Sequence, residues 1–388
     1  MRSALWLYLF IFVAFFDLHA QYPILTPFAI SLGAAPSFIG YIMGMYSLTH
    51  LPGNVMAGYG VDRYGGKWFI VVSLTLGGIL LIIQSHVVNP WQLLVIRSIS
   101  GFVLAFLSPA CLAMLAKMAK DAVHQSKLMT GNGIIHTLAS VVSPAAGAAL
   151  VAKLGFAQSF NMLGWGLIAS ALFAILFVKE PKQLMWQNPD VNPEQPNLEP
   201  EPSIKVTSSL LFFCLPMALS CSQGILFFEI PLAFRESENM VLTTGYLFSA
   251  ISLGSLVTMS FWFLNRVSPL WRLSIGTLGL ALLFFALSIE WALPLIVTLF
   301  LIGMTKGVIY PSIAAFLAQQ SDHNKYGRNF AMLSIAYSIG AFLGPIIAGE
   351  VREFFSPYFA AFLVLMIGML IRPRRNPKTW TSPNNVSI

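Results

Sequence analysis

The stretch GYGVDRYGGK, at residues 58–67, is a short polar segment between two long apolar runs. Its Asp62 and Arg63 are the first Asp, Glu, Lys or Arg residues after Asp17. A helix needs about 20 apolar residues to cross the hydrocarbon core of a membrane. The runs on either side, 37–60 and 67–86, reach that length. The pattern therefore predicts two membrane-spanning helices joined by a short loop.

Composition extends this prediction to the whole chain. Hydrophobic residues make up 57% of the chain and charged residues only 10%, whereas soluble domains usually contain about 25% charged residues. A lipid-facing surface needs no charge, so the shortfall indicates a membrane protein. The net charge of +7 does not indicate nucleic-acid binding, because the basic residues lie in short segments between apolar runs. The three cysteines show no metal-ligand spacing, and we expect no metal or cofactor.

The same length criterion predicts twelve membrane-spanning helices, because only a helix satisfies its backbone hydrogen bonds within one crossing. They are 4–30, 37–60, 67–86, 90–117, 127–152, 157–178, 206–233, 242–264, 270–289, 291–319, 327–350 and 355–371. The first run is a helix and not a signal peptide, because it is too long and contains Asp17.

Lysine and arginine are distributed unevenly between the two sides of this arrangement. Seventeen lie on the side of the N-terminus, and three, Lys153, Arg235 and Arg352, lie on the other. Cytoplasmic loops are rich in these residues, so both termini are predicted to be cytoplasmic. We expect a multi-pass protein of the cytoplasmic (inner) membrane.

Residues 179–205 differ from the rest, with six prolines and five acidic residues. Such a stretch cannot pack a core and is predicted to be a cytoplasmic linker. It separates six-helix bundles at 1–178 and 206–371, and 372–388 is a cytoplasmic tail. The two bundles repeat each other: Gly101 and Pro109 match Gly303 and Pro311 at an offset of 202. Such repeats are typical of transporters with two halves around a central site.

The segment at 58–67 resembles the signature loop of the major facilitator superfamily, Gly-x-x-x-Asp-Arg-x-Gly-Arg-Arg/Lys. Gly66 stands where that family usually has arginine. The resemblance implies an all-α membrane protein with 12 transmembrane helices in two pseudo-symmetric six-helix bundles. It also implies that this loop latches the cytoplasmic ends when the transporter faces outward. The latch residues would be Gly58, Asp62, Arg63, Gly65 and Lys67.

Two further motifs favour the drug–proton antiporter branch of this family. Arg97 and Gly101 resemble its Arg-x-x-x-Gly motif, whose arginine is associated with proton coupling. The glycine- and proline-rich antiporter motif of the fifth helix is degenerate here, with only Pro144 and Gly147. A better copy lies in the eleventh helix. The residues expected to allow close packing or bending are Pro144, Gly147, Gly340, Gly344, Pro345 and Gly349.

Ionisable residues inside membrane-spanning helices are functional candidates, because they are expensive to bury. They are Asp17, His19, His50, Arg97, His136, Glu229 and Lys306. The resemblance places helices one, four, seven and ten around the central cavity. We therefore hypothesise two ion pairs, Asp17 with Arg97 and Glu229 with Lys306, or one mixed network.

Proton coupling is assigned first to Asp17, because burial favours its neutral acid while Arg97 favours the carboxylate. Glu229 is the second candidate, and Arg97 and His136 are expected to take part. A permanent salt bridge that only fixes helix packing is the structural alternative. The candidates for substrate binding are Arg97, Lys306, Gln21, Tyr22, Gln223, Tyr310 and Tyr337.

These features predict a proton-coupled exporter of a small amphiphilic organic compound that works by alternating access. A transporter of an anionic or metal-chelating metabolite, in either direction, is the first alternative. A non-transporting receptor or scaffold is the second, although no long external segment is present. An intramembrane enzyme is disfavoured, because no nucleophile–base set or paired catalytic carboxylates appear. The expected partners are a small-molecule substrate, protons and lipids, with no nucleic acid, and the protein is expected to be a monomer.

Overall fold

The computed structural model describes residues 2–119, 122–178, 211–261, 267–320 and 326–370, which form helices joined by short turns. The helices are α1 (Arg2–Ser31), α2 (Pro36–Tyr64), α3 (Lys67–Gln84), α4 (Pro90–Leu104), α5 (Leu107–Lys117), α6 (Ala122–Phe177), α7 (Cys214–Ala233), α8 (Met240–Met259), α9 (Pro269–Ser288), α10 (Leu295–Gln320), α11 (Tyr326–Val351) and α12 (Pro357–Leu370). The predicted linker 179–205 and tail 372–388 lie outside the described residues, so the predicted domain limits stay predictions.

Nine stretches of the described residues are long and apolar enough to span a membrane. One of them, Lys127–Phe177, has 51 residues and is too long for a single crossing. It consists of two arms of α6 that meet at Gly155, whose φ of 79° suits glycine. Three further crossings are the second arm of α6, α2 and the short apolar α12. Together with the other stretches, they supply the twelve predicted crossings.

The fourth crossing is divided into α4 and α5, whereas the sequence predicted one helix over 90–117. The interruption lies at Ala105 and Phe106. Pro109 lacks the N–H that would bond to the Ala105 carbonyl, and its ring crowds that carbonyl. The residue that helped to define the internal repeat therefore also explains this break.

Two predicted helix limits are wrong for identifiable reasons. α2 continues to Tyr64 rather than ending at 60, so most of the predicted loop is helical. Gly65, with a φ of 86°, ends the helix in a conformation that favours glycine, and its N–H bonds to Val61 O at 3.0 Å. α10 begins at Leu295 rather than 291, because Glu290 has a φ of 51° and Pro294 precedes the first turn.

The bundle has two ends, which we call the basic end and the distal end. At the basic end α1 begins and α6 ends, and the Trp6 and Phe177 rings stack at 4.4 Å. At the distal end α1 ends, and Phe28 packs edge-on against Phe160 at 5.0 Å. The sequence predicts that the basic end faces the cytoplasm.

The first half (α1–α6) and the second half (α7–α12) pack closely at the distal end. A Cβ at Gly40 of α2 would collide with the Pro345 carbonyl of α11. A Cβ at Gly349 would lie 2.9 Å from the Cα of Ser37. The Ala145 N–H of α6 donates to Ser249 Oγ of α8 at 3.2 Å. The backbones of the two halves therefore meet with no room for additional side-chain atoms.

Candidate functional site

A buried polar chain links α1 to α4 in the first half. Asp17 and Gln21 are four residues apart and so share one face of α1. Gln21 Nε2 donates to both Asp17 oxygens, at 2.9 Å each, and Arg97 Nη1 donates to Gln21 Oε1 at 2.7 Å. All three side chains are at most 5% exposed. The structure thus brings Asp17 and Arg97 together through Gln21.

The chemistry of the chain fixes the orientation of the Gln21 amide. A carboxylate only accepts hydrogen bonds and a guanidinium only donates them. The amide nitrogen must therefore face Asp17 and the amide oxygen must face Arg97. Within the described residues, no ion pair of 4.0 Å or less joins Asp17 directly to Arg97. The predicted pair is mediated by an amide, so a change of charge on Asp17 reaches Arg97 through a reorientable group.

Tyr46 of α2 completes the environment of Arg97. The Arg97 Cζ lies 4.4 Å from the centre of the Tyr46 ring, within the range of a cation–π interaction. Arg97 Nε is buried without a hydrogen-bond partner in the described part of the chain. One face of the guanidinium is thus covered by an aromatic ring, and part of its donor capacity is unused.

Glu229 is paired with Arg352 and not, as hypothesised, with Lys306. Arg352 Nη2 lies 3.5 Å from Glu229 Oε1, and the Arg352 side chain is 28% exposed. Glu229 lies near the distal end of α7, and Arg352 directly follows α11. The hypothesis failed because positions along the helices do not fix their rotation, which turns Glu229 toward the end of α11.

Lys306 of α10 lies among aromatic rings. Its Nζ is 5.7 Å from the centre of the Phe227 ring and 5.8 Å from that of Tyr310. Tyr310 OH donates to Gln223 Oε1 at 2.8 Å, and the Tyr310 and Tyr337 rings lie 5.8 Å apart. Four of the predicted substrate-binding residues, Lys306, Tyr310, Gln223 and Tyr337, therefore form one cluster in the second half.

A small cavity adjoins this cluster between α7, α9 and α10. Its walls include Gln223, Lys306 and Tyr310, together with Leu280 and Phe284. Its volume is about 10 Å³. That is about the minimum for one water molecule. The cavity can hydrate Lys306 but is too small for an organic substrate.

A row of rings connects the halves between Arg97 and Lys306. The His19 and His136 rings lie 5.6 Å apart at nearly right angles, and His19 Nδ1 lies 2.7 Å from Phe15 O. The Tyr22 ring of α1 packs at 4.4 Å from the Phe227 ring of α7. The His50 ring lies 5.7 Å from that of Tyr46, and its Nδ1 is 2.9 Å from Asn54 Nδ2.

The predicted latch residues contact their own half or open space. Lys67 Nζ donates to Ile175 O of α6 at 2.9 Å, and Arg63 lies over the neighbouring Tyr64 ring at 5.3 Å. A Cβ at Gly58 would meet nothing within 4 Å. The side chain of Asp62 lies outside the described part. At Gly66, where the family usually has arginine, a Cβ would lie 2.6 Å from Met114 Cγ, so a side chain there would displace Met114.

The predicted packing glycines lie against neighbouring backbones. A Cβ at Gly344 of α11 would collide with Cys221 O of α7. A Cβ at Gly147 of α6 would lie 2.7 Å from that of Ala20 in α1. Gly340 lies against Met217 O in the same way. Pro144 and Pro345 are both buried, and each contributes a carbonyl to the close distal contacts.

Three contacts of this site were missed by sequence reasoning. Tyr46 was not considered, because an aromatic residue among 31 Phe and 11 Tyr carries no signal by itself. Phe227 was missed for the same reason. Arg352 was used only to predict the orientation of the chain in the membrane. No group of three or more His, Cys, Asp or Glu within the described residues could hold a metal ion.

Comparisons with known proteins agree with this fold. The family model described as "Major Facilitator Superfamily" matches residues 7–289 and 262–387. A multi-drug resistance efflux pump PmrA homolog of Lactococcus lactis is 23% identical over 88% of this chain and 85% of its own length. Multidrug resistance protein 1 of Bacillus subtilis is 22% identical over 93% of each chain. The solved structure of a bacterial homologue of the lysosomal transporter Spinster, inward-facing and occupied, superposes with a TM-score of 0.77 at 13% identity over 95% of each chain. That of the nucleoside transporter NupG gives 0.76 at 15% identity, over 95% of this chain and 97% of its own.

Proposed function

Because the chain belongs to the Major Facilitator Superfamily, and is thus a multi-pass membrane transporter and not an enzyme, we propose that it exports a small amphiphilic organic compound in exchange for protons. The observation that carries this proposal is the buried chain Asp17–Gln21–Arg97. In this chain Asp17, an acid that can bind a proton, is linked through Gln21 to the Arg97 guanidinium. The position of Arg97 can therefore depend on the charge of Asp17. Export is supported by relatives whose names describe multidrug efflux.

Asp17 is the proposed proton carrier. As a carboxylate it accepts two hydrogen bonds from the Gln21 amide nitrogen. A proton on Asp17 removes the charge that strengthens those bonds. Gln21 is then free to turn, and Arg97 loses the partner that holds it. Protonation therefore changes how α1 and α4 pack, which is the kind of two-state element that coupling requires.

Glu229 is the second proposed proton site. Its Oε2 is buried without a hydrogen-bond partner in the described part of the chain. Its pairing with Arg352 favours the charged form, so protonation would break a contact at the distal end. His136 is assigned a supporting role, because its ring contacts those of Phe15 and His19 on α1, the helix that carries Asp17.

The substrate is proposed to bind between the halves, where Tyr22 meets Phe227. Aromatic walls with a few polar groups suit an amphiphilic compound. Lys306 of the second half lies near Phe227, and Arg97 belongs to the first half. Alternating access follows if the halves rock about the site. The close distal packing supports assigning this structure to the state that is open toward the basic end.

The protein is proposed to act as a monomer in the cytoplasmic membrane, with both termini in the cytoplasm. The unequal distribution of Lys and Arg supports this orientation. Under it, the distal end faces outward and the latch lies in the cytoplasm. Its direct partners are then the transported molecule, protons and the surrounding lipids.

The test is transport by the purified full-length protein in liposomes, with and without a pH gradient. A panel of amphiphilic dyes is used as substrates. We expect gradient-dependent flux for the wild-type protein. Asp17→Asn should bind dye but lose at least about tenfold of this flux, because proton transfer contributes that much or more where it is required.

Glu236→Gln is the matched control, because Glu236 is an exposed carboxylate outside the helices. It should transport like the wild type, and Glu229→Gln tests the second proton site in the same assay. Full gradient-driven flux in Asp17→Asn would remove Asp17 from the coupling role. Absence of gradient-dependent flux for the whole panel would favour a receptor or scaffold.

A further inference from the structure

The rings around Lys306 include no acidic side chain, among the described residues, that is free to neutralise this cation. On the basis of the function proposed above, we propose that the transported compound is an organic anion whose acidic group binds Lys306 and His136. Its apolar body packs on Phe15, Tyr22 and Phe227. The proposal names a substrate class for that function and rests on five features of the site.

Lys306 has no acidic partner within the described residues. Its Nζ lies 5.7 Å and 5.8 Å from two ring centres, close to the outer limit of a cation–π contact. Two such distant contacts replace only part of the hydration that the half-buried ammonium group loses. A bound carboxylate or similar anion would supply the missing charge.

The two intramembrane acids are already engaged. Both Asp17 oxygens accept hydrogen bonds from Gln21. Glu229 is paired with Arg352 toward the distal end. Neither is therefore available to neutralise Lys306 in this arrangement. The cluster keeps an uncompensated cation that a negatively charged ligand can approach.

Two histidines lie on the same row of rings as this cation. The His19 and His136 rings lie 5.6 Å apart, and the His19 ring lies 5.6 Å from that of Tyr22. Tyr22 packs on Phe227, whose ring faces Lys306. A neutral imidazole carries one N–H, so His136 can donate to an anion without gaining a proton. His19 Nδ1 donates to Phe15 O at 2.7 Å, so Nε2 of the neutral His19 ring carries no proton and does not donate to an anion. His136 and Lys306 come from α6 and α10, so a ligand held by both would connect the halves.

His136 faces the cluster and not the lipid. Ile134 and Leu138 are 63% and 48% exposed and, being four residues apart, share one face of α6. His136 is two residues from each, which places it about 200° around the helix from them. Its ring contacts Phe15 at 4.2 Å on α1. The exposed part of His136 therefore opens into the space between the helices.

Aromatic rings lie next to these groups. Phe15 packs edge-on against His136, and Tyr22 packs at 4.4 Å on Phe227. Phe227 also packs at 4.8 Å against Phe248. An aromatic carboxylate matches this arrangement, because its ring contacts rings while its charge meets the cations.

The experiment compares three probes with the same ring and different charge: 2-naphthoate, 2-naphthalenemethanol and 2-naphthylmethylammonium. Binding to the purified full-length protein is measured by calorimetry. We expect naphthoate to bind at least about tenfold more tightly than the other two, because a charge-assisted hydrogen bond contributes that much. Lys306→Met should abolish this preference and leave binding of the neutral alcohol within about twofold. Lys306→Arg should keep the preference.

Lys153→Met is the matched control, because Lys153 is an exposed lysine at the distal end. It removes the same charge and should keep the preference for naphthoate. If Lys306→Met does not give a monodisperse protein, His136→Phe takes its place. That variant keeps an aromatic ring against Phe15 but removes the N–H, and should weaken naphthoate binding severalfold.

Equal or tighter binding of the ammonium probe to the wild type would overturn the inference. Retention of the naphthoate preference in Lys306→Met and His136→Phe would also overturn it. Gradient-driven transport of the ammonium probe but not of naphthoate would refute the anion assignment and leave the proposed function intact. Selective naphthoate binding without any gradient-driven flux would support the anion assignment and refute the proposed function.

Discussion

At the distal end α2 and α11 meet backbone to backbone, whereas the basic end of α2 reaches open space. A Cβ at Gly44 would lie 2.6 Å from Phe342 O in the other half, but a Cβ at Gly58 would meet nothing within 4 Å. Both glycines lie on the same helix. Gly44 therefore allows a close contact between the halves, whereas Gly58 faces unoccupied space. The difference indicates where the halves touch now and where they would touch after rocking.

The α11 glycines make a second distinction. Gly340 and Gly344 face α7 within the second half, whereas Gly349 faces Pro36 and Ser37 of the first half. If the halves rock as proposed, contacts within a half persist, but contacts between halves form and break. We therefore expect substitutions at Gly340 to affect folding, and substitutions at Gly40 to affect the balance of states.

Gly40→Ala should have the largest effect on transport. Its new methyl group would collide with Pro345 O, and overpacking of this kind costs about 1–3 kcal/mol. The distal contact exists in only one state, so that cost shifts the balance of states by about 5- to 150-fold. Transport in liposomes should fall accordingly. A cysteine introduced as Ser37→Cys should react faster with an impermeant maleimide, because the distal end opens more often.

Gly58→Ala is the control for this substitution. It adds the same methyl group to the same helix, but into open space, and alanine favours a helix by about 1 kcal/mol over glycine. Labelling of Ser37→Cys should not accelerate in this variant. Equal labelling rates in the two variants would show that the distal glycine contact does not hold the halves together.

The crossings were predictable from the sequence because each depends on the length of an apolar run. Gly155 and Gly65 have a positive φ and lie in short segments that the sequence predicted to be between helices. Contact between Asp17 and Gln21 also follows from a spacing of four residues. These features are local, and local chemistry determines them.

Contacts between helices were not predictable in the same way. Arg97 reaches Asp17 only through Gln21, and Glu229 meets Arg352 rather than Lys306. Each depends on how a helix is rotated about its axis, which single-sequence periodicity does not define when all faces are apolar. Tyr46 over Arg97 is another example. The cavity helices were therefore identified, but their side-chain partners were not.

Arg352→Gln should have an intermediate effect at the distal end. It leaves Glu229 buried without its cation, and an unpaired buried charge is destabilising by about 1–3 kcal/mol. The midpoint of thermal unfolding should fall by a few degrees, about 2–4 °C per kcal/mol. Glu229→Gln should lower the midpoint less, because Arg352 is 28% exposed and can turn toward water. A larger fall of the unfolding midpoint in Glu229→Gln than in Arg352→Gln would indicate that the carboxylate, and not the ion pair, stabilises this end.

Lys67→Met, at the basic end, should have the smallest effect. Lys67 donates to Ile175 O within its own half, and this contact is exposed. Exposed contacts of a charged group contribute about 0–1 kcal/mol, so the unfolding midpoint should stay within a few degrees of the wild type. If the latch forms only when the basic end closes, the transport rate should fall more than the stability, by about 2- to 5-fold. Lys153→Met should change neither quantity. A marked loss of stability in Lys67→Met, with the remaining folded protein transporting normally, would assign Lys67 to the packing of α3 on α6 rather than to a latch.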